Sequence, residues 1–271
     1  MARQLIVILG AGASSDCVGE PSHQGRHERP DRRPPLVMEL FDDRYRDILN
    51  RYPLAQAVAA DVWPRLREEG DALSLETFLR DELLNSPRAH RRAQYWAVPL
   101  YLQDLLYECG LRYTTHPDNF DRLLNELLNL ERVVFITLNY DTIFDLVLGK
   151  YFTLDSLDSY IRYQQVALIK PHGSVNWGRL VDTTGLDAFV SNGYRGLCHA
   201  LAEHTARLAA TITEMWDAPG PVPGETRSSS HGFFYPALAA PLGPDDEPAC
   251  PPSHVTALRT RIKMKGDGCW W

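Results

Sequence analysis

Leu5 to Leu9, LIVIL, is an apolar run without polar alternation, which predicts a central strand of a parallel sheet covered on both faces. Two further runs, Val133 to Leu138 and Val166 to Ile169, predict buried strands of the same kind. Between the first and second strands, from Leu36 to about Leu130, the apolar period becomes helical. In SLETFLRDELL, Leu75, Phe78, Leu79, Leu83 and Leu84 recur at three and four positions behind Ser74 as N-cap. In DNFDRLLNELLNL, Phe120, Leu123, Leu124, Leu127 and Leu128 repeat in the same way after Pro117 and Asp118. Leu197, Leu201, Leu208, Ile212 and Trp216 predict a helix from Leu197 to Trp216, followed by a loop over about residues 217–232. Cys17 to Pro35, with its prolines, glycines and arginines, reads as a long mobile loop, and the C-terminal stretch as one short helix. Strands alternating with helices predict an α/β fold, Rossmann-like, with a mainly parallel sheet and a large helical insertion after the first strand.

Each predicted strand runs directly into polar or glycine residues, and ligands of parallel sheets lie beyond the carboxyl ends of the strands. After the first stand Gly10 and Gly12, in ILGAGASS. Glycines there serve either a tight turn or a backbone lying against a pyrophosphate, although Ser15 occupies the place of the third glycine of the dinucleotide fingerprint. After the second come Asn139, Tyr140 and Asp141. Asn139 reads either as the cap of a helix beginning near Thr142 or as an amide that orients a water or a ribose hydroxyl, with Asp141 holding a neighbour. After the third comes KPHGS, where His172, between Pro171 and Gly173, is the best general-base candidate among the histidines.

Composition narrows the possibilities. With 271 residues, 44% hydrophobic and 23% charged, the chain can form one large domain or two small ones. Its 28 basic and 35 acidic side chains give a net charge of -7 and no general footprint for nucleic acid. The five cysteines are scattered without a CxxC pair, which argues against a zinc ribbon or a disulfide framework and for a reducing cytoplasm. MARQLIVILGAGASS has the outline of a signal peptide, but its apolar run is short and meets glycines at once. No stretch approaches the roughly 20 apolar residues of a membrane span. GxSxG, HExxH and GxxxxGK[ST] are all absent.

GAGAS at residues 10–14, TLNYD at 137–141 and HGS at 172–174, in this order, resemble the sirtuin superfamily. The spacing, together with PPLVMELF at 34–41, SLETFL at 74–79 and FYPALAAP at 234–241, is similar to the bacterial SIR2-like domains of anti-phage defence. The resemblance implies a single SIR2-like domain over residues 1–271, with NAD as substrate, cleavage of its nicotinamide–ribose bond to nicotinamide and ADP-ribose, and no metal. It also implies a homo-oligomer or a separate sensor protein as partner, and no membrane.

By the same resemblance Gly10, Ala11, Gly12, Ala13 and Ser14 cradle the pyrophosphate, and Thr137 and Ser174 line the ribose region. Asn139 orients the ribose or the attacking water, His172 accepts a proton, and Asp141 orients the nicotinamide side of the pocket or its neighbours. Arg26, Arg29, Arg32 and Arg33 would close over the phosphates or, more simply, form a solvated loop.

Two departures from the deacetylases, the missing zinc-binding CxxC pairs and SDCVGEPSH in place of a Pro-Asp-Phe-Arg stretch, favour hydrolysis of NAD over deacylation. A third is KMKGDGCWW, where the family continues into another apolar strand. It predicts a sheet truncated in its C-terminal part or finished differently. The readings to be separated are an NAD hydrolase, an NAD-dependent protein deacylase, and a non-catalytic nucleotide-binding or assembly module.

Overall fold

The computed structural model describes residues 4–15, 33–69, 75–113, 118–129, 132–182, 192–210, 212, 214–215, 227–229, 232–239 and 249–263. Strands β1 (Gln4–Leu9), β2 (Arg132–Thr137) and β3 (Val166–Ile169) pair in parallel in the order β1-β2-β3. Leu9 lies opposite Thr137 and Ile136 opposite Ile169, so the three strands end nearly level and their polar extensions share one edge. Val133, Val134, Phe135 and all of β3 are buried, as continuous apolar runs in parallel sheets should be.

β1 departs from the expectation of a central strand. Among the described residues it pairs only with β2, and Leu5 and Ile8 are exposed, Ile8 at 67%. Val7 and Leu9 face the same core as Phe135, whereas Ile8 points to the opposite face. An unbroken apolar run signals that a strand can be covered on both faces, and does not fix its place in the sheet.

A five-residue helix, α1 (Ala11–Ser15), follows β1. Beyond it the predicted helical region is present as α2 (Arg46–Leu49), α3 (Pro53–Glu69), α4 (Leu75–Thr77), a π-helical segment over Phe78–Leu84, and α5 (Ala89–Tyr113). Leu75, Phe78, Leu79 and Leu83 are buried as their spacing requires, while Ser74 lies outside the described residues. The next helix, α6 (Asp118–Leu127), packs elsewhere. Its Phe120 and Leu124 join the core of the parallel sheet, where Phe144 of α7 (Ile143–Leu148) stands between Phe120 and Phe135, with ring centroids 5.0 and 4.8 Å away.

After β3 the chain turns into β4 (Gly173–Asp182), the spine of an antiparallel sheet. The helix expected to reach Trp216 is α8 (Gly193–Ala202) and stops there. The chain turns through His204 at φ 59° into β5 (Arg207–Leu208) and then β6 (Glu214–Met215), both paired to β4. Leu208 and Ile212 had fitted a helical period, but tertiary pairing overrides such short signals. The loop expected over about 217–232 contains β7 (Arg227–Ser229), and β8 (Gly232–Leu238) begins at its end. Pairing with β8 makes a strand of RSS, which carries no apolar alternation. Residues 216–226 lie outside the described residues, as does most of the arginine-rich loop. Of its four arginines Arg33 is described, and it is paired with Glu39 while its carbonyl accepts from the Tyr45 hydroxyl.

The antiparallel sheet joins the two halves of the molecule. Val175, Val181 and Tyr235 pack with the helical body, and Trp177 and Ala237 with the parallel sheet. The expected C-terminal helix is α9 (Pro252–Lys263), whose His254 is buried against Tyr160 and Trp177. Among the described residues no helix is long and apolar enough to cross a membrane, and Cys109, Cys198 and Cys250 are buried.

Candidate active site

Gly10 ends β1, and its carbonyl accepts from Ala13 N at 2.9 Å as α1 begins. Neither Gly10 nor Gly12 has a left-handed φ, and a Cβ placed on either would meet nothing within 4 Å. No described part of the fold therefore demands glycine at these positions. The tight-turn reading loses its physical basis, and what remains is a stretch of backbone, Gly10 to Gly12, exposed at the carboxyl edge of the sheet. Ala13 is half-buried, and Ser14 is buried.

Asn139 reaches back across the sheet edge to this loop. Its Nδ2 donates to Gly10 O at 2.9 Å and to Ser14 Oγ at 2.7 Å. A carbonyl can only accept, so the Gly10 contact fixes which way the amide faces. Oδ1 is thereby turned away from the loop, buried and without a partner among the described residues. A buried acceptor left unmatched is costly, and an unmatched one at a strand end is where a ligand donor is to be looked for.

The capping role weighed for Asn139 belongs to Asp141. Its Oδ1 accepts from Ile143 N at 3.0 Å, an Asx turn that starts α7. Asp141 is buried. Burial raises its pKa, opposed by the positive charge of Lys170 and by the bond from Ile143.

His172 is half-buried at the end of β3, its ring centroid 6.1 Å from that of Tyr140. Its carbonyl accepts from Ala239 N at 2.8 Å, while the Tyr140 hydroxyl donates to Ala239 O at 2.6 Å, so one residue after β8 ties both strand ends together. Val175 N donates to Tyr140 O at 2.9 Å and closes the same edge. Gly173 is the glycine this edge requires. Its φ is 84°, and a Cβ there would fall 1.8 Å from Ala237 O.

Thr137 and Ser174 are buried with their hydroxyls on the main chain. Thr137 Oγ1 accepts from Asn139 N at 3.2 Å, and Ser174 Oγ donates to Tyr140 O at 3.4 Å. Both brace the Asn139–Tyr140 turn. The expected site residues thus gather along one edge: the glycine loop in direct contact with Asn139, Asp141 at the end of the same turn, and His172 on the neighbouring strand end.

One group there had drawn no role from the sequence. Lys170 is fully buried, with Nζ donating to Asp141 O at 2.5 Å and to Asp145 Oδ2 at 2.9 Å. The Tyr160 hydroxyl donates to Asp145 Oδ1 at 2.6 Å. The available signal was a lysine closing the apolar run VALIK, a position where a strand rarely carries a charge without a partner. Neither a scan against protein-family models nor a search of curated proteins returns a match for this chain.

Proposed function

We propose that this protein is a SIR2-like NAD+ hydrolase that cleaves the bond between nicotinamide and ribose to release nicotinamide and ADP-ribose, in a single Rossmann-like domain. The observation that carries the reading is Asn139, whose amide nitrogen is committed to Gly10 and Ser14 and whose buried oxygen is left without a partner among the described residues, beside an open glycine loop. The exposed backbone of Gly10 to Gly12 leaves room for a pyrophosphate to approach more closely than any side chain would permit. An acceptor at Asn139 Oδ1 selects a donor, and the donors NAD brings to such a site are its ribose hydroxyls and the water that attacks it.

In the reaction, the electron pair of the glycosidic bond passes to the pyridinium nitrogen, so nicotinamide leaves neutral and needs no acid. The ribose carbon becomes oxocarbenium-like, and the fixed amide dipole of Asn139 stabilises the developing charge while holding the nucleophile. Water oxygen bonds to that carbon, and His172 accepts the proton released. Gly10 and Ser14 hold the Asn139 amide in place, Asp141 fixes the end of its turn, and Thr137 and Ser174 hold its backbone. We place the protein in the cytoplasm, acting in anti-phage defence through NAD depletion when a partner protein or self-assembly triggers it.

The exposed Leu5 and Ile8 favour, as a second reading, a non-catalytic nucleotide-binding or assembly module, since that flank of the sheet carries no covering strand among the described residues. Incubating the protein with NAD and following nicotinamide release decides between them. Turnover lost in both Asn139→Ala and His172→Ala supports hydrolysis. Binding of NAD without turnover, in folded protein supplied with its trigger, supports the module, and release that depends on an acylated peptide supports a deacylase.

A further inference from the structure

The most heavily buried charge in the described molecule is the one the reaction does not use. The Lys170 ammonium has no exposed surface, and two of its protons go to Asp141 O and Asp145 Oδ2. An ammonium is withdrawn from water at considerable cost, and a buried ion pair often gives a fold no more stability than apolar side chains of the same volume. The position of this pair is therefore informative.

Lys170 sits two residues before His172, and its carbonyl accepts from Gly173 N at 3.0 Å, closing the turn that carries the imidazole. Its side chain crosses to the neighbouring strand end and takes the main chain of Asp141. Asp141 closes the turn that begins at Asn139, whose amide donates to Gly10 O and to Ser14 Oγ. One residue thus holds the histidine turn with its backbone and the asparagine turn with its ammonium. Asp145, on the first turn of α7, fixes the ammonium from below and is itself fixed by Tyr160.

We propose that Lys170 is a positioning residue for hydrolysis, locking the turns that carry Asn139 and His172 into one fixed mutual geometry through the Asp141 main chain and its own, with Asp145 as its counter-charge. This rests on the hydrolase reading of the site. It requires the Lys170–Asp145 pair to matter more for the chemical step than for folding or for binding NAD, because the glycine loop keeps its own open backbone.

The test is the double variant Lys170→Met/Asp145→Leu, which fills the same space with apolar groups and removes both members of the ion pair. Melting temperature, kcat and KM for NAD are measured beside wild type and beside Lys150→Met, which breaks the exposed Lys150–Asp121 pair near the end of α7. The expected result is a melting temperature near that of wild type, a KM changed little, and a kcat about a hundredfold lower, the scale of loss when reacting groups are displaced by about an ångström. Lys150→Met keeps wild-type kcat. A folded double variant with wild-type kcat overturns the inference, as does a kcat that falls only in step with melting temperature or with a rise in KM. If the triggered wild type itself releases no nicotinamide, the hydrolase reading fails and this inference falls with it.

Discussion

Asn139 donates its side-chain amide to the backbone carbonyl of Gly10 at 2.9 Å, a bond that joins the ends of two strands 129 positions apart in sequence. It decides between two roles that asparagine plays equally well at a strand end. A capping asparagine presents its oxygen to backbone N–H groups, whereas this one presents its nitrogen to a carbonyl and keeps its oxygen unused. Substitution by aspartate should be informative because shape is kept while the donor is lost. Asn139→Asp sets a carboxylate oxygen against Gly10 O, and the expected cost is about 1–3 kcal/mol in stability. Nicotinamide release should fall on the order of a hundredfold. Thermal melting and a turnover assay check both, and a variant indistinguishable from wild type in each would remove Asn139 from the site.

The glycine loop predicts a separation of stability from ligand binding. A methyl group on Gly12 meets nothing in the fold, so Gly12→Ala should alter stability by no more than about 0.5 kcal/mol. The same methyl would stand where a pyrophosphate must approach, and the affinity for NAD should fall about tenfold or more, equivalent to about 1.4 kcal/mol. Calorimetric titration with NAD alongside a melting curve tests this. Unchanged affinity would mean that the loop is not the cradle.

Gly173 predicts the opposite behaviour. Left-handed backbone costs a residue with a Cβ about 1–2 kcal/mol, and the contact with Ala237 O adds an overpacking cost of about 1–3 kcal/mol. Against a total stability of about 5–15 kcal/mol, Gly173→Ala should lower the melting temperature strongly or leave little soluble protein. Expression yield and circular dichroism read the outcome, and a stable Gly173→Ala protein would contradict the close packing of β4 on β8.

These contrasts mark how far the residues alone could be read. That three strand ends would carry the polar groups followed from the sudden change of polarity after Leu9, Leu138 and Ile169. Which glycine was structural did not, because the demand on Gly173 comes from Ala237, 64 residues away, and no local pattern reports it. Asn139 and Asp141 are both competent caps, and only the position of the glycine loop shows that Asp141 fills that role. Apolar spacing found the helices of the insertion but could not show that Phe120 serves the sheet, since a stripe records burial without naming the partner. The strands from Arg207 to Ser229 are two or three residues long and exist through pairing with β4 and β8, so they carry too few positions for a period.

The last prediction concerns pH and lies away from the site. His254 is fully buried against Tyr160 and Trp177, with Nε2 2.8 Å from Leu157 O. Because that carbonyl can only accept, Nε2 carries the proton, and Nδ1 is buried without a partner among the described residues. Burial lowers the pKa of the ring below its ordinary 6.5, more strongly than the Leu157 carbonyl and Asp158 raise it. The unfolded chain therefore takes up a proton near pH 6.5 while the folded chain does not. The stability due to the neutral ring is complete above that pH and is lost as pH falls through 6.5 toward the lowered folded value. Within that window the loss approaches about 1.4 kcal/mol per pH unit. Burial raises the pKa of Asp104 and Asp141, so those groups act with the opposite sign, contributing stability that is lost as pH rises through their folded values. The difference between wild type and a variant isolates the histidine. His254→Gln keeps a donor for Leu157 O and cannot titrate, so its melting temperature should fall less between pH 7.5 and 5.5 than that of wild type. Parallel pH profiles for the two proteins would contradict this, because they would show that His254 takes up its proton in the folded protein as readily as in the unfolded chain.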